Sequence, residues 1–121
     1  MSRRILVVDD DHDMVRTLCD ILVLSGWDPT GAYSGSEAVT AARGQSFGWV
    51  LMDIRMPGMD GVEAFRTMKQ SSPAIRVVLM TAHAAPEVRA AAVREGAVRV
   101  MTKPLDMPEL LQLLHEQAPA A

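Results

Sequence analysis

The sequence predicts an α/β domain in which a largely parallel sheet is covered by helices on both faces. Two observations predict it. Short, partly β-branched apolar runs recur along the chain, as expected of strands buried on both sides, and between them lie stretches with apolar residues at helical spacing. Five alternations of strand then helix call for a parallel sheet, because each return to a parallel strand needs a crossover and a helix supplies it. At 121 residues, 49% of them hydrophobic, the chain suits one ordinary domain better than two.

The elements follow in order. The first strand is read over residues 5–8, and Val15, Leu18 and Leu22 form the apolar stripe of the first helix, with Gly26 as its stop. A weaker strand lies near residues 28–33. Ser36 starts the second helix, Ala38, Ala41 and Ala42 line it, and Gly44 ends it. Residues 49–52 are the third strand, followed by a helix striped by Val62, Phe65 and Met68. Residues 75–80 are the fourth, followed by Val88, Ala91 and Ala92, with Gly96 as the stop. Residues 97–101 are the fifth strand, and Asp106 starts a last helix carrying Met107, Leu110, Leu111 and Leu114. Residues 118–121 read as a frayed tail or the start of a linker, which leaves 1–117 as the domain.

Composition narrows the function classes. Twelve Lys and Arg against 15 Asp and Glu give no basic field for nucleic acid, and the net charge of −3 disfavours anionic membranes. No apolar run approaches the ~20 residues of a membrane span. The lone Cys19 cannot form an internal disulfide, and MSRR leads straight into a strand rather than a signal-peptide core, so a reducing cytoplasm fits best.

The chemistry concentrates at strand ends. In a parallel doubly wound sheet all strand C-termini meet at one edge, where ligands bind. Asp9 and Asp10, with Asp11 behind them, end the first strand; Asp53 ends the third, Thr81 the fourth and Lys103 the fifth. Carboxylates gathered there repel each other and raise one another's pKa unless a cation neutralises them. Mg2+ is the natural ion, since it takes oxygen ligands and is typically held by one or two carboxylates plus phosphate oxygens. Asp53 beside such an ion is a candidate nucleophile for phosphoryl transfer. Lys103 then balances charge on the equatorial oxygens and Thr81 donates a hydrogen bond. Pro57, Gly58 and Gly61 give the loop after Asp53 its turn chemistry, so a backbone carbonyl near Arg55 can face the ion.

The segments ILVVDD, LMDIRMPGMDG, VVLMTA and TKPL, in this order and spacing, resemble the receiver domain of two-component response regulators over essentially the whole chain. The resemblance implies a flavodoxin-like fold of five parallel strands in order 2-1-3-4-5 with five helices. It implies a phosphoacceptor rather than an enzyme, with Asp53 phosphorylated from the phosphohistidine of a sensor histidine kinase or phosphotransfer protein. Mg2+ would be held by Asp10, Asp53 and the Arg55 carbonyl, with Asp9 acting through water. Thr81 and Lys103 would bind the phosphoryl group, the Lys103–Pro104 bond would be cis, and an output domain or effector would read the result. Helix four, strand five and helix five carry Arg89, Arg94, Glu95 and Arg99, enough for ion pairs in a homodimer.

Bland readings stand beside these. Asp11 and Asp13 suit the acidic first turn of helix one. His12 suggests zinc, but no His-x-x-x-His pair accompanies it. Arg55 and His83, each two residues beyond a site residue, are expected to flank the opening and tune phosphoryl lifetime; an exposed loop role serves His83 equally well. One departure from the family pattern concerns output: Val100 stands where relatives carry a swinging aromatic, three residues before Lys103, and Leu105 stands where many have Phe. Two other functions compete. A phosphohydrolase with an Asp9-x-Asp11 motif leaves Asp53 and Lys103 without roles, and an unphosphorylated scaffold leaves the complete acid, Thr and Lys set unexplained.

Overall fold

The computed structural model describes residues 3–83 and 85–116. Strands and helices alternate from end to end: β1 (Arg4–Val8), α1 (His12–Leu24), β2 (Asp28–Ala32), α2 (Gly35–Gly44), β3 (Trp49–Asp53), α3 (Gly61–Ser71), β4 (Arg76–Thr81), α4 (Pro86–Glu95), β5 (Arg99–Thr102) and α5 (Met107–Glu116). The five strands form one sheet in the order β2-β1-β3-β4-β5, with every pairing parallel. This is the expected doubly wound order. The expected limit at residue 117 and the tail 118–121 lie outside the described residues.

Alternation along each strand divides the apolar residues between two cores, because successive side chains point to opposite faces. Leu6, Val8, Val50, Met52, Val77 and Leu79 pack with α2, α3 and Ala92 of α4. Ile5, Val7, Trp49, Leu51, Val78 and Met80 pack with Val15, Leu18 and Leu22 of α1 and with Leu110, Leu113 and Leu114 of α5. The central strands are apolar at nearly every position for this reason: both faces are covered. β2, DPTGA, gives a weak sequence signal because it is an edge strand, half-exposed and interrupted by Pro29, which cannot donate to a ladder.

Two helix boundaries differ from the sequence reading. The cap of α2 lies two residues before Ser36: it is Ser34, its side chain accepting from the Glu37 amide at 3.1 Å, while Glu37 reaches back to the Tyr33 amide at 3.3 Å. The S-x-x-E spacing of residues 34–37 is the signal that outranks Ser36. Gly44 is the last helical residue rather than a left-handed stop, and extended Gln45 terminates the helix. Gly96 does cap α4 in the left-handed conformation, at φ 95°, and Gly26 follows α1 at φ 88°. Asp106 accepts from the Glu109 amide at 3.0 Å and so starts α5 as expected. Among the described residues no helix is long and apolar enough to cross a membrane.

Gly61 sits where the chain folds back onto the end of β3. Its amide donates to the Ile54 carbonyl at 2.8 Å, and a Cβ there would run into the Asp53 carbonyl and lie 2.8 Å from the Ile54 Cα. Both obstacles are backbone, so nothing flexible can yield. Gly61→Ala is expected to lower stability by about 1–3 kcal/mol in urea denaturation. Gly44→Ala, with nothing within 4 Å of the new methyl group, is expected to leave it unchanged or raise it by up to about 1 kcal/mol. Equal losses in the two variants would contradict this packing.

Candidate functional site

The topology delivers the strand-end residues to one edge. β1 and β3 are neighbours, so Asp9, one residue past β1, lies beside Asp53, the last residue of β3. The Asp9 amide continues the ladder to the Ala32 carbonyl at 3.2 Å, and the Ile54 amide donates to the Met80 carbonyl at 2.9 Å. Thr81 ends β4 opposite Thr102, and the Lys103 amide donates to the Thr81 carbonyl at 2.8 Å. Lys103 is thereby carried inward over the acids. The Lys103–Pro104 peptide is cis.

Asp9, Asp10 and Asp53 each offer a carboxylate oxygen within 4.8 Å of the others, which makes them a cation-sized cluster. Their environments differ. Asp9 and Asp53 are buried, at 1% and 5% exposure, whereas Asp10 faces solvent. The Lys103 ammonium lies 2.7 Å from Asp9 Oδ2 and 3.2 Å from Asp53 Oδ2, bridging the two buried acids. The other oxygens are held by backbone: Asp9 Oδ1 accepts from the Asp11 amide at 3.0 Å, and Asp53 Oδ1 from the Arg55 amide at 3.4 Å.

The electrostatics follow from burial first and from that crowding second. Burial, and then the neighbouring Asp9 charge, push the Asp53 pKa up, and Lys103 and the Arg55 amide only partly oppose this. Burial pulls the Lys103 ammonium down, yet its bonds to Asp9 and Asp53 more than compensate, so its pKa is raised and it stays charged. Three carboxylates against one ammonium leave two formal negative charges, the charge of one divalent cation.

The remaining candidates sit around this centre in different ways. The Thr81 hydroxyl, on a buried residue, donates to the His83 carbonyl at 3.0 Å and accepts from the His83 amide at 3.1 Å, so it is turned toward its own loop. Arg55 and His83 occupy the two loops beside the opening, both exposed. Asp11 caps α1 by accepting from the Met14 amide at 3.1 Å, and Asp13 lies in its first turn. His12 stacks on Tyr33, with ring centroids 4.0 Å apart and planes 20° from parallel, a structural contact. Val100 is buried on the α4 side of β5. Two of the charges expected to serve a dimer face are paired within the chain: Glu95 with Arg66 at 2.8 Å, and Arg99 with Glu109 at 3.5 Å.

Sequence reasoning missed two contacts. The Lys103–Asp9 ion pair joins residues 94 positions apart, and no local pattern announces it. Arg89 of α4 donates to the Val100 carbonyl at 3.3 Å and to the Thr102 hydroxyl at 3.4 Å, although helical periodicity marks it only as a solvent-facing charge.

Comparison with known proteins identifies the family and agrees with the fold. The family model of the response regulator receiver domain matches residues 5–115. The response regulator receiver protein Anae109_2439 of Anaeromyxobacter sp. (strain Fw109-5) is 38% identical over 111 residues, 92% of this chain and 47% of that protein. The transcriptional regulatory protein ZraR of Salmonella typhimurium is 38% identical over 112 residues, 93% of this chain and 25% of ZraR. The chain thus spans about half the length of the first relative and a quarter of the second. Among solved structures, the CheX-CheY-BeF3-Mg2+ complex from Borrelia burgdorferi superimposes with a TM-score of 0.88 at 27% identity, covering 96% of this chain and 90% of that one.

The raised Asp53 pKa has a measurable consequence. The unfolded chain gives up this proton near the ordinary value of 3.8, before the folded chain does. Asp53's contribution to stability is therefore complete below that value and is lost as pH rises through its raised folded value. Asp53→Asn removes the loss. Melted with EDTA present, the variant is expected to have a higher Tm than wild type at pH 7, with the gap closing toward pH 4. A variant less stable than wild type at pH 7 would contradict the arrangement.

Proposed function

Because the chain belongs to the response regulator receiver family, we propose that Asp53 is its phosphoacceptor, taking a phosphoryl group from the phosphohistidine of a sensor histidine kinase or phosphotransfer protein. The observation that supports this most is the Lys103 ammonium, shared between Asp9 and Asp53 in a site that still carries an excess of two negative charges. That excess fits a hard divalent ion. Asp10, open to solvent, suits an ion that keeps several of its waters. Mg2+ would be held by Asp10, Asp53 and the Arg55 carbonyl, with Asp9 through water, and when bound it supplies the positive charge that lets two anions approach.

The chain's own groups do the rest. An Asp53 carboxylate oxygen forms a bond to phosphorus as the phosphorus–nitrogen bond to the donor imidazole breaks, the electron pair leaving with that nitrogen. Lys103, 3.2 Å from Asp53 at the outset, moves only slightly to balance charge on the transferred oxygens. Thr81 turns its hydroxyl from His83 to the phosphoryl group. Arg55 and His83, on the flanking loops, govern how readily water attacks the acyl phosphate. If Ala at either position leaves the dephosphorylation rate unchanged, that role is lost.

On this reading residues 1–117 are a signalling phosphoacceptor that assists its own phosphorylation and dephosphorylation in the cytoplasm. An output domain, an effector or a second copy of the chain reads the α4–β5–α5 face. Since the curated relatives are longer than this chain, an output domain is proposed from their length alone.

Intact mass after incubation with acetyl phosphate tests the proposal. Wild type is expected to gain one phosphoryl group only when Mg2+ is present, and Asp53→Asn none; Lys103→Ala is expected to react at least ~100-fold more slowly while staying folded. An undiminished adduct on Asp53→Asn would place the acceptor elsewhere. If wild type gains nothing and also fails to bind beryllofluoride, the unphosphorylated scaffold is the better description.

A further inference from the structure

With Val100 on β5, no aromatic side chain at that position can relay a change at Thr81 to the exposed face, and the structure offers another connection. The Thr81 hydroxyl holds both the carbonyl and the amide of His83. Shortly after, Pro86 opens α4, a helix without a side-chain cap, whose first turn hangs on the Ala85 carbonyl through the Val88 and Arg89 amides. From that turn Arg89 reaches across to β5, one guanidinium nitrogen on the Val100 carbonyl and the other on the hydroxyl of Thr102, which is the register partner of Thr81.

Toward the sheet α4 is otherwise loosely held, although its C-terminal end is tied to α3 through Glu95, whose carboxylate accepts from Arg66 at 2.8 Å and whose carbonyl accepts from Lys69. It buries only Ala92 against the sheet, and Val93 is 66% exposed. Between α4, β5 and α5 runs a groove of about 600 Å3, with Arg89, Val93 and Val100 in its wall. Among the described residues, the Arg89 fork provides the side-chain hydrogen bonds that tie α4 to β5.

We propose that Arg89 is a latch: its guanidinium holds α4 against β5 while Asp53 is unphosphorylated, and it lets go when the Thr81 hydroxyl leaves His83. This rests on the phosphoacceptor reading of Asp53. Loss of both Thr81 bonds frees the loop that carries Ala85, and with it the turn from which Arg89 reaches. The bonds of 3.3 and 3.4 Å lie at the long end of the useful range, and Arg89 is exposed, so the latch opens at small cost and closes again. Opening frees the start of α4 from β5, with its C-terminal end still held on α3, and widens the groove, placing the signal on the same face by a different route from a swinging ring. By linkage, a contact that holds the unphosphorylated arrangement weakens binding at Asp53, so removing the contact strengthens it.

Beryllofluoride binding in the presence of Mg2+, followed by fluorine NMR, tests this together with hydrogen exchange of residues 86–95 in the unliganded protein. Arg89→Ala is expected to bind beryllofluoride about fivefold more tightly than wild type, the low end of ordinary coupling factors, and to exchange its α4 amides about fivefold faster. Thr102→Val, which removes one acceptor, moves both readouts in the same direction by less, and Arg89→Lys falls between wild type and Arg89→Ala. Binding to wild type with the same affinity and the same α4 exchange in Arg89→Ala overturns the latch alone. No binding to wild type overturns the phosphoacceptor reading, and the latch as a switch falls with it.

Discussion

The ion pair between Lys103 and the buried acids Asp9 and Asp53 is the constraint on which the rest of the site depends. Removing two carboxylates and an ammonium from water is costly, and the attraction between them repays it only where geometry is good and the leftover lone pairs are satisfied. Here the leftover oxygens accept from the Asp11 and Arg55 amides, and the ammonium bridges both acids. Such precision needs a rigid frame. The parallel sheet supplies it by ending β1, β3 and β5 at one edge, and the turn at Gly61 packs directly on the end of β3. Even so, the site remains overcharged. Burial, and then the Asp9 charge, raise the Asp53 pKa, and the uncompensated charge is why a divalent ion and a phosphoryl group make a chemically sensible pair of proposed occupants.

Much of this was legible in the sequence because its signals are local. A four-residue apolar run ending in Asp9 and Asp10 states both the strand and its polar end, and the same holds for residues 49–53 and 76–81. With strands and helices alternating, topology alone then predicts that these ends converge. β2 was faint because an edge strand needs little apolar content. Ser36 reads as a cap from sequence because the Ser34–Glu37 reciprocity depends on a backbone turn that two serines in a row of small residues leave ambiguous. Gly44 is itself the last residue of α2 and has no positive φ, so a glycine there is no left-handed stop.

The contacts that escaped were long-range and polar. Nothing near Lys103 says that Asp9 is its closest acid, and nothing near Arg89 says that it spans to β5. Val100 was legible as a departure, yet only the structure reveals what stands beside it. The division is physical: hydrophobic periodicity reports which face of an element is buried, whereas the pairing of charges at a sheet edge depends on where the chain brings them after folding. α4 also buries fewer residues than any of the other four helices, a single alanine, and its first turn lacks a side-chain cap. Signalling segments are drawn from such low-stability regions, so this looseness and the phosphorylation site proposed at the adjoining sheet edge are mutually consistent.

In the proposed site the excess negative charge at the sheet edge holds one divalent cation beside Asp53. Calorimetric titration with Mg2+ tests it most directly, on wild type and on Asp10→Asn, whose exposed carboxylate can be changed without touching the Lys103 ion pair. Saturable binding of one ion to wild type is expected, with a loss of at least ~10-fold in affinity in the folded variant. Undiminished affinity in Asp10→Asn, or no binding to wild type, would contradict it.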